Sequence, residues 1–404
     1  MGIAIILTPN MTELSKQLAN LSNTIIASKP VLFDLSREED RNHLQSLITS
    51  GAVREVSDDY EEQQRELFGI QNPTEVYAPG FEEKFRRYFA TLSADGSLSE
   101  HGIWVYFPWR HSAAHILREE EYWLVRTARN RNLVTAQEQE RFYKAVVGIA
   151  GLSVGSSVSL AIALSGGGKH MKLADMDRLA LSNTNRVIAG ADRLGLPKVE
   201  MAARTVYEIN PYAEVEIFRE GLTEENIGSF FEGLDIIVDE IDSLELKYLI
   251  REHARERKIP IVMAADNGDN ALVEVERHDI DNGPAFFHGR MGEVSYDMLK
   301  KLDKFGIGKM ITKWVGADTV TTRMQESLKE MGKTLVSWPQ LGIAAMVNGA
   351  AVAYCARKIA AGQPLIEDRT LISLDEKLDP DYHSEVARER RRSAAEAFAK
   401  GFGL

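Results

Sequence analysis

The turn Gly151-Leu152-Ser153-Val154-Gly155-Ser156 follows an apolar run and opens a small-residue helix. Small residues let the backbone approach a phosphate or a ribose, and a helix N-terminus favours negative charge. The pattern departs from Gly-x-Gly-x-x-Gly, with serine at the second and third glycine positions. By itself it fits a ligand-free strand–helix turn equally well. Asp175, with Asp177 just after it, ends the next strand, where an acid bonds ribose hydroxyls in a dinucleotide fold. An ordinary strand-end turn would carry the same acid. Further on stand Arg186 and Lys198, cations that a nicotinamide oxidoreductase does not need after its second strand. Surface charge is the bland reading of both. The sequence Asp239-Glu240-Ile241-Asp242 ends a fourth strand.

These residues need a scaffold, and the pattern from residue 143 onward supplies one. Tyr143–Ala150 contains a fully apolar, β-branched run of the buried parallel-strand kind. Helix Val154–Leu164 and strand Met171–Ala174 follow. Pro197 opens a helix through Ile209, since proline suits a first helical turn. Strand Val215–Phe218, helix Thr223–Phe231, strand Asp235–Val238, helix Leu244–Arg257 and strands Ile259–Ala264 and Leu272–Glu276 complete the series. Strands alternating with helices predict an α/β, doubly wound, Rossmann-like, mostly parallel sheet. Residues 1–118 predict an additional mixed α/β N-terminal domain, with helices at 37–50, 58–68 and 81–91 and a strand at 102–107. It is the obvious place for substrate or partner recognition. Residues 119–280 hold the nucleotide-type pattern, beginning with a helix at 119–131. Residues 281–375 extend it less regularly, with a small-residue helix at 343–361. Residues 376–404 carry a charged helix with Arg388, Arg390, Arg391 and Arg392, read as a solvated surface.

Composition limits the function classes. The 404 residues carry a formal net charge of −12, which argues against a general nucleic-acid binder. No apolar run reaches the roughly 18 residues of a membrane span. The apolar start, Met1 to Pro9, has no basic flank and reads as a buried strand rather than a signal peptide. Isoleucine at position 6 breaks the myristoylation pattern. Cys355 is the single cysteine, so a disulfide and a cysteine-ligated zinc site are both excluded within the chain. That usage suits a reducing, cytoplasmic setting. Its alanine-rich surroundings make Cys355 a buried small side chain. His111, His115 and His170 lack metal-ligand spacing. Trp104, Trp109 and Trp123 are expected to pack the N-terminal domain.

Asp175-x-Asp177, Ser182-Asn183-x-Asn185-Arg186, Pro197-Lys198, Asn210-Pro211 and Asp239-x-x-Asp242 occur in this order. The set resembles the ThiF/MoeB family, the adenylating fold shared with ubiquitin-activating enzymes. The resemblance covers about residues 120–280 and continues weakly through Pro339-Gln340-Leu341-Gly342 and Gly362-Gln363-Pro364-Leu365. It implies that Gly151, Ser153, Gly155 and Ser156 form the nucleotide turn and that Asp175 holds the ribose. Asn183, Arg186 and Lys198 would contact the triphosphate of ATP, with Asp177 beside them, and Asp242 would bind Mg2+. An arginine before the first strand would reach the ATP of a partner subunit; Arg129 and Arg131 are candidates, and Arg126 is nearly as good. The chemistry agrees. A carboxylate attacking the α-phosphate spreads negative charge, which arginine, lysine and a magnesium-binding aspartate neutralise. One or two protein carboxylates suffice for magnesium.

The sequence also departs from the family. Val187 replaces the glutamine after the arginine, and Ser243 follows the second acid. No cysteine lies in 265–340, where thioester-forming members place theirs. The expected activity is ATP- and magnesium-dependent adenylation of a carboxylate acceptor, such as the C-terminus of a small protein or peptide, or a small molecule, without a thioester step. A homodimer is expected, with no nucleic acid and no membrane. The rivals are a NAD(P)- or FAD-binding oxidoreductase and a non-catalytic partner subunit of the same fold.

Overall fold

The computed structural model describes Leu14 and residues 27–94, 96–280 and 283–404. The strand expected at Met1–Pro9 lies outside the described residues. Two sheets organise the described residues. The first holds β1 (Val31–Phe33), β2 (Glu55–Asp58), β3 (Ile103–Phe107) and β4 (Ser112–Ile116), in the order β1-β3-β4-β2. Helices α1 (Glu38–Thr49), α2 (Tyr60–Gln71) and α3 (Phe81–Ala94) accompany it. Buried His115 lies between the rings of Tyr60 and Trp104 and bonds Asp58 at 2.9 Å, so it is a structural residue.

Helices α4 (Glu119–Thr127) and α5 (Ala136–Lys144) lead into the second sheet. A helix through Arg131 is not observed: α4 ends at Thr127 and a single 3-10 turn follows, Ala128–Asn130. Tyr143 and Lys144 belong to α5 rather than to the strand. The helix opens on a capping box, in which Thr135 and Glu138 satisfy each other's backbone N–H groups, and it runs on until the Ala145 N–H meets the Arg141 carbonyl.

The second sheet contains β5 (Val146–Ala150), β6 (His170–Ala174), β7 (Glu214–Phe218), β8 (Ile236–Asp239), β9 (Ile261–Asn267), β10 (Asn270–Glu276) and β11 (Asp368–Ile372). Its order is β11-β10-β9-β8-β5-β6-β7. The five strands from β7 across to β9 are parallel, and β10 and β11 are antiparallel additions. Helix α6 (Gly155–Leu164) joins β5 to β6, and α7 (Lys198–Ile209) joins β6 to β7. Helix α8 (Ile227–Phe231) precedes β8, and α9 (Leu244–Arg257) joins β8 to β9. The helix expected from Thr223 starts only at Ile227, because Thr223 and Asn226 cap each other first. Beyond the sheet lie α10 (Lys304–Val315), α11 (Thr322–Leu328), α12 (Gly342–Ala360) and α13 (Glu385–Gly401).

Both faces of the parallel sheet are covered at its centre, which explains the apolar runs of β5 and β8, while β6 and β7 toward the edge carry Lys172, Glu214 and Glu216. Val147 and Ile149 face a core shared with α6, α7 and α12. Ala150 faces another, built on α8 and α9. Gly148 is small because Phe230 and Leu234 fill the space a Cβ would take. The N-terminal sheet docks at the end of α7. Trp109 donates to Glu208 at 2.6 Å, Tyr122 to the Ile209 carbonyl and Tyr212 to the Leu117 carbonyl. These contacts lie at the N-terminal ends of the parallel strands. Trp109 packs on Phe107 of the first sheet, as expected, and also on the core of the second, while Trp123 donates to the Gly166 carbonyl in the second part.

The chain folds back from β5 to β6 and β7 on one side and adds β8 and β9 on the other. That reversal opens a crevice beyond the C-terminal ends of β5 and β8. The end of β8 is held by buried charge. Asp239 pairs with Lys247 at 3.0 Å and Arg251 at 2.8 Å, and Arg251 pairs with Glu276 at 2.7 Å. Burial opposes the Asp239 charge, but Lys247 and Arg251 outweigh it and hold the carboxyl below its usual range. Removing one member of such a group strands the others. Asp239→Asn is therefore expected to cost about 3–5 kcal/mol in urea unfolding. A loss below about 1 kcal/mol, the scale of a surface pair, would contradict this account.

Candidate functional site

The turn after β5 sits in the crevice. Gly151 has φ +87°, and its N–H donates to the Ala174 carbonyl at 2.8 Å. A Cβ at this position would strike the carbonyl of Glu240. Gly155 is confined too: a Cβ there would lie 2.8 Å from Ile149 Cγ2. These two glycines draw the N-terminus of α6 onto β5 and β8 and aim its first N–H groups at the crevice. Ser156 Oγ donates to the Ser153 carbonyl at 2.9 Å, inside the turn.

One flank of the turn comes from β6. Buried Asp175 accepts the Leu152 N–H and the Asp177 N–H, each at 2.7 Å. Burial raises its pKa, with Lys198 and the two N–H groups opposing the rise. Asp175 thereby fastens strand end to turn. Lys198, 5 % exposed, begins α7 and donates from Nζ to Asp177 Oδ2 at 2.8 Å. Its backbone N–H meets the Asp177 carbonyl at 2.9 Å. Lysine and acid are thus locked together at the mouth of the crevice.

The other flank gathers around Arg186. Its Nε donates to Ser153 Oγ at 2.9 Å, and Nη1 donates to Asn185 Oδ1 at 3.0 Å. Burial lowers its pKa, against the opposing charges of Asp266 and Asp242. Asp242 is exposed. Asn183 accepts the Ala180 N–H at 3.0 Å and so closes its own loop. Of the three arginines before the first strand, Arg126 donates to the Ala163 carbonyl at 2.8 Å, at the far end of α6. That contact ties Arg126 to its own chain and away from the crevice. Arg129 and Arg131 are solvent-exposed.

Four residues absent from the sequence expectation complete the site. Asp266, near the end of β9, accepts Asn348 Nδ2 at 2.6 Å and Gln340 Nε2 at 3.2 Å. Burial pushes its carboxyl up to about 6. Glu240 accepts the Ala264 N–H at 2.9 Å, and burial raises its carboxyl well above the usual range. The Gln340 carbonyl also accepts Asn185 Nδ2 at 2.8 Å, clamping the Arg186 loop to the segment before α12. The available signal for Asp266 was its place at a strand's C-terminal end, where open α/β sheets bind ligands.

The arrangement presents an α6 N-terminus, a half-buried guanidinium, a lysine and several carboxylates to one crevice. It suits a phosphate-bearing ligand with a cation. The exposed Asp242 beside Arg186 is compatible with one magnesium ion held mainly by phosphates and water. Cys355 is elsewhere: it lies in α12, 7 % exposed, with its thiol pushed up to about 11 by burial.

Residues 127–275 match the ThiF family model. An uncharacterized protein of Mycobacterium tuberculosis is 36 % identical over 282 residues, covering 70 % of this chain and 39 % of that protein. The tRNA threonylcarbamoyladenosine dehydratase of Escherichia coli is 37 % identical over 125 residues, 30 % of this chain and 46 % of that one. The molybdopterin-synthase adenylyltransferase of Haemophilus influenzae is 32 % identical over 121 residues, 30 % of this chain and 49 % of that one. The chain spans less than half the length of each of these three relatives. Among the described residues no helix is long and apolar enough to cross a membrane. The crevice and the match coincide, and the chain carries a ThiF family domain at residues 127–275.

Proposed function

We propose that the crevice binds ATP with magnesium and that the chain adenylates a carboxylate, without forming a thioester on itself. The observation that carries this reading is Arg186 fixed to Ser153 of the turn, with Asp242 at the same mouth. A cation anchored there meets a phosphate chain laid across the α6 N-terminus. A nicotinamide dinucleotide has no triphosphate for it to meet. The molybdopterin-synthase adenylyltransferase among the relatives supports the same chemistry.

In this reading Gly151, Ser153, Gly155 and Ser156 cradle the nucleotide, and Asp175 holds the ribose with the lone pairs its two backbone bonds leave. Asn183, Arg186 and Lys198 contact the triphosphate. Lys198 exchanges Asp177 for phosphate, which keeps its charge paired throughout. Magnesium on Asp242 would neutralise phosphate charge. The acceptor carboxylate attacks the α-phosphorus, the bond to pyrophosphate breaks, and Arg186 and Lys198 stabilise the charge that develops on the leaving group. The acceptor is the C-terminal carboxylate of a small protein or peptide, or a small acid. Exposed Arg129 would complete the site of a second copy in a homodimer.

Cys355 is unsuited to covalent catalysis, because a buried thiol with a raised pKa supplies little thiolate.

Exchange of labelled pyrophosphate into ATP, with a panel of carboxylate acceptors, tests the activity. Arg186→Ala and Asp242→Ala are each expected to lower exchange by about 100-fold or more. Exchange that persists at the parent rate in both would remove these residues from the site. Cys355→Ser is expected to leave exchange unchanged; a tenfold loss, or an acyl-protein bond cleaved by thiols, would contradict the thioester-free mechanism. In thermal-shift measurements ATP with magnesium should stabilise the chain and NAD should not. Stabilisation by NAD alone would favour the oxidoreductase reading.

A further inference from the structure

Asp266 is the acid whose arrangement the reaction above leaves unexplained. It is held by two amides from the far part of the chain. Asn348, fully buried on α12, donates at 2.6 Å, and Gln340 donates at 3.2 Å from the segment before it. Both donors are neutral amides, so they fix the carboxylate in place whether or not a cation faces it. The charged groups around it are few. Arg186 faces it from the loop after β6, Glu240 from beyond β8, and Asp242 acts on the same arginine. Burial raises the Glu240 carboxyl well above its usual range, and Arg186 is the cation whose charge acts on Asp266.

Arg186, in turn, is anchored by neutral acceptors, Ser153 Oγ, Asn185 Oδ1 and, at 3.4 Å, the Ser182 carbonyl. None of them compensates its charge. Asp266 and Asp242 do, and burial makes that compensation necessary.

We propose that Asp266 is a positioning residue that acts on Arg186 through its charge: it balances the guanidinium, which the turn and its own loop orient, until phosphates arrive, and takes up a proton when they do. The proposal rests on reading the crevice as a nucleotide site. When phosphates arrive, Asp266 loses its compensating cation and gains negative charge nearby. Both changes raise its affinity for a proton. The amide anchors keep it from swinging away to water. Its carboxyl already titrates at about 6 in the nucleotide-free protein. It is therefore mostly ionised at neutral pH and becomes protonated with nucleotide bound. The sign follows: the protonated form binds nucleotide better, so affinity weakens as pH rises through and above that value.

Isothermal titration of the full chain with ATP and magnesium near pH 7, in two buffers of different ionisation heat, counts the protons. The parent chain is expected to take up roughly half a proton more per ATP bound than Asp266→Asn does. ATP's own protonation is common to both proteins and cancels. Between about pH 6 and pH 8 the parent's dissociation constant should rise by up to about tenfold relative to that of the variant. A purely structural Asp266 would change affinity by a constant factor and leave proton uptake alike in the two proteins, which would overturn the proposal. Should Asp266→Asn fail to fold, the parent chain still decides: no uptake beyond that of ATP and magnesium alone overturns it. Absence of any ATP binding to the parent overturns the nucleotide reading and this proposal together. Binding without the differential uptake overturns this proposal alone.

Discussion

The backbone of Gly151 lies against the backbone of Glu240, closer than any Cβ would allow, and the crevice is arranged around that contact. It joins the end of β5 to the end of β8 where the strand order reverses. It forces Gly151 to positive φ and sets the direction of α6. Buried charge fixes the other partner in this contact. Asp239 is held by Lys247 and Arg251 immediately before Glu240 leaves the sheet. The first acid of Asp239-x-x-Asp242 thus works inside the protein, while the second faces water. One motif supplies both the buried anchor and the exposed acid proposed to meet magnesium.

Cations near a phosphate site are costly to hold before the phosphate arrives, because burial disfavours their charge. Each of the two here has an acidic counterpart. Lys198 has Asp177, in direct contact. Arg186 has Asp266 and Asp242 without contact, and neutral acceptors that fix its direction. The difference matters physically. A direct pair must break before phosphate can take the lysine. A guanidinium balanced at a distance already has its geometry and needs only a change of counter-charge. Preorganisation is thus stronger on the Arg186 flank.

Much of this was legible where local pattern and tertiary role agree. The apolar run at β5, the small residues of α6 and the helix Leu244–Arg257 follow from buried-strand composition and helical period. The short strands β1, β2 and β4 did not show. All four residues of β2 are exposed, and its parallel pairing with β4 imposes no apolar alternation on the chain. Strand β9 continues past its apolar core through Ala265 and Asp266 to Asn267, because β10 pairs with it along its whole length. That extension is what brings Asp266 to the crevice. Gln340 and Asn348 reach it from far along the chain, a relation that spacing in the sequence does not express. Strand β11 likewise joins the sheet from residues 368–372, well beyond the parallel strands it extends.

The serine at the second glycine position looks like erosion when only the Gly-x-Gly-x-x-Gly pattern is considered. In the folded chain it has a use. A glycine there would offer no side chain, and Arg186 Nε would have to find another acceptor or water. Ser153 Oγ accepts that N–H at 2.9 Å and so sets the plane of the guanidinium against the turn itself. A long side chain such as arginine gives up as much as about 2 kcal/mol of rotamer entropy when it is ordered. Ordering it ahead of the ligand lowers the cost of the later contact. Ser156 makes the corresponding argument for the turn, since its hydroxyl is bonded to the Ser153 carbonyl and stiffens the first turn of α6. The two serines exchange some closeness of backbone approach for a fixed arginine and a fixed helix start. In the nucleotide reading proposed above, that exchange puts the charge of the crevice in place before the polyanion enters.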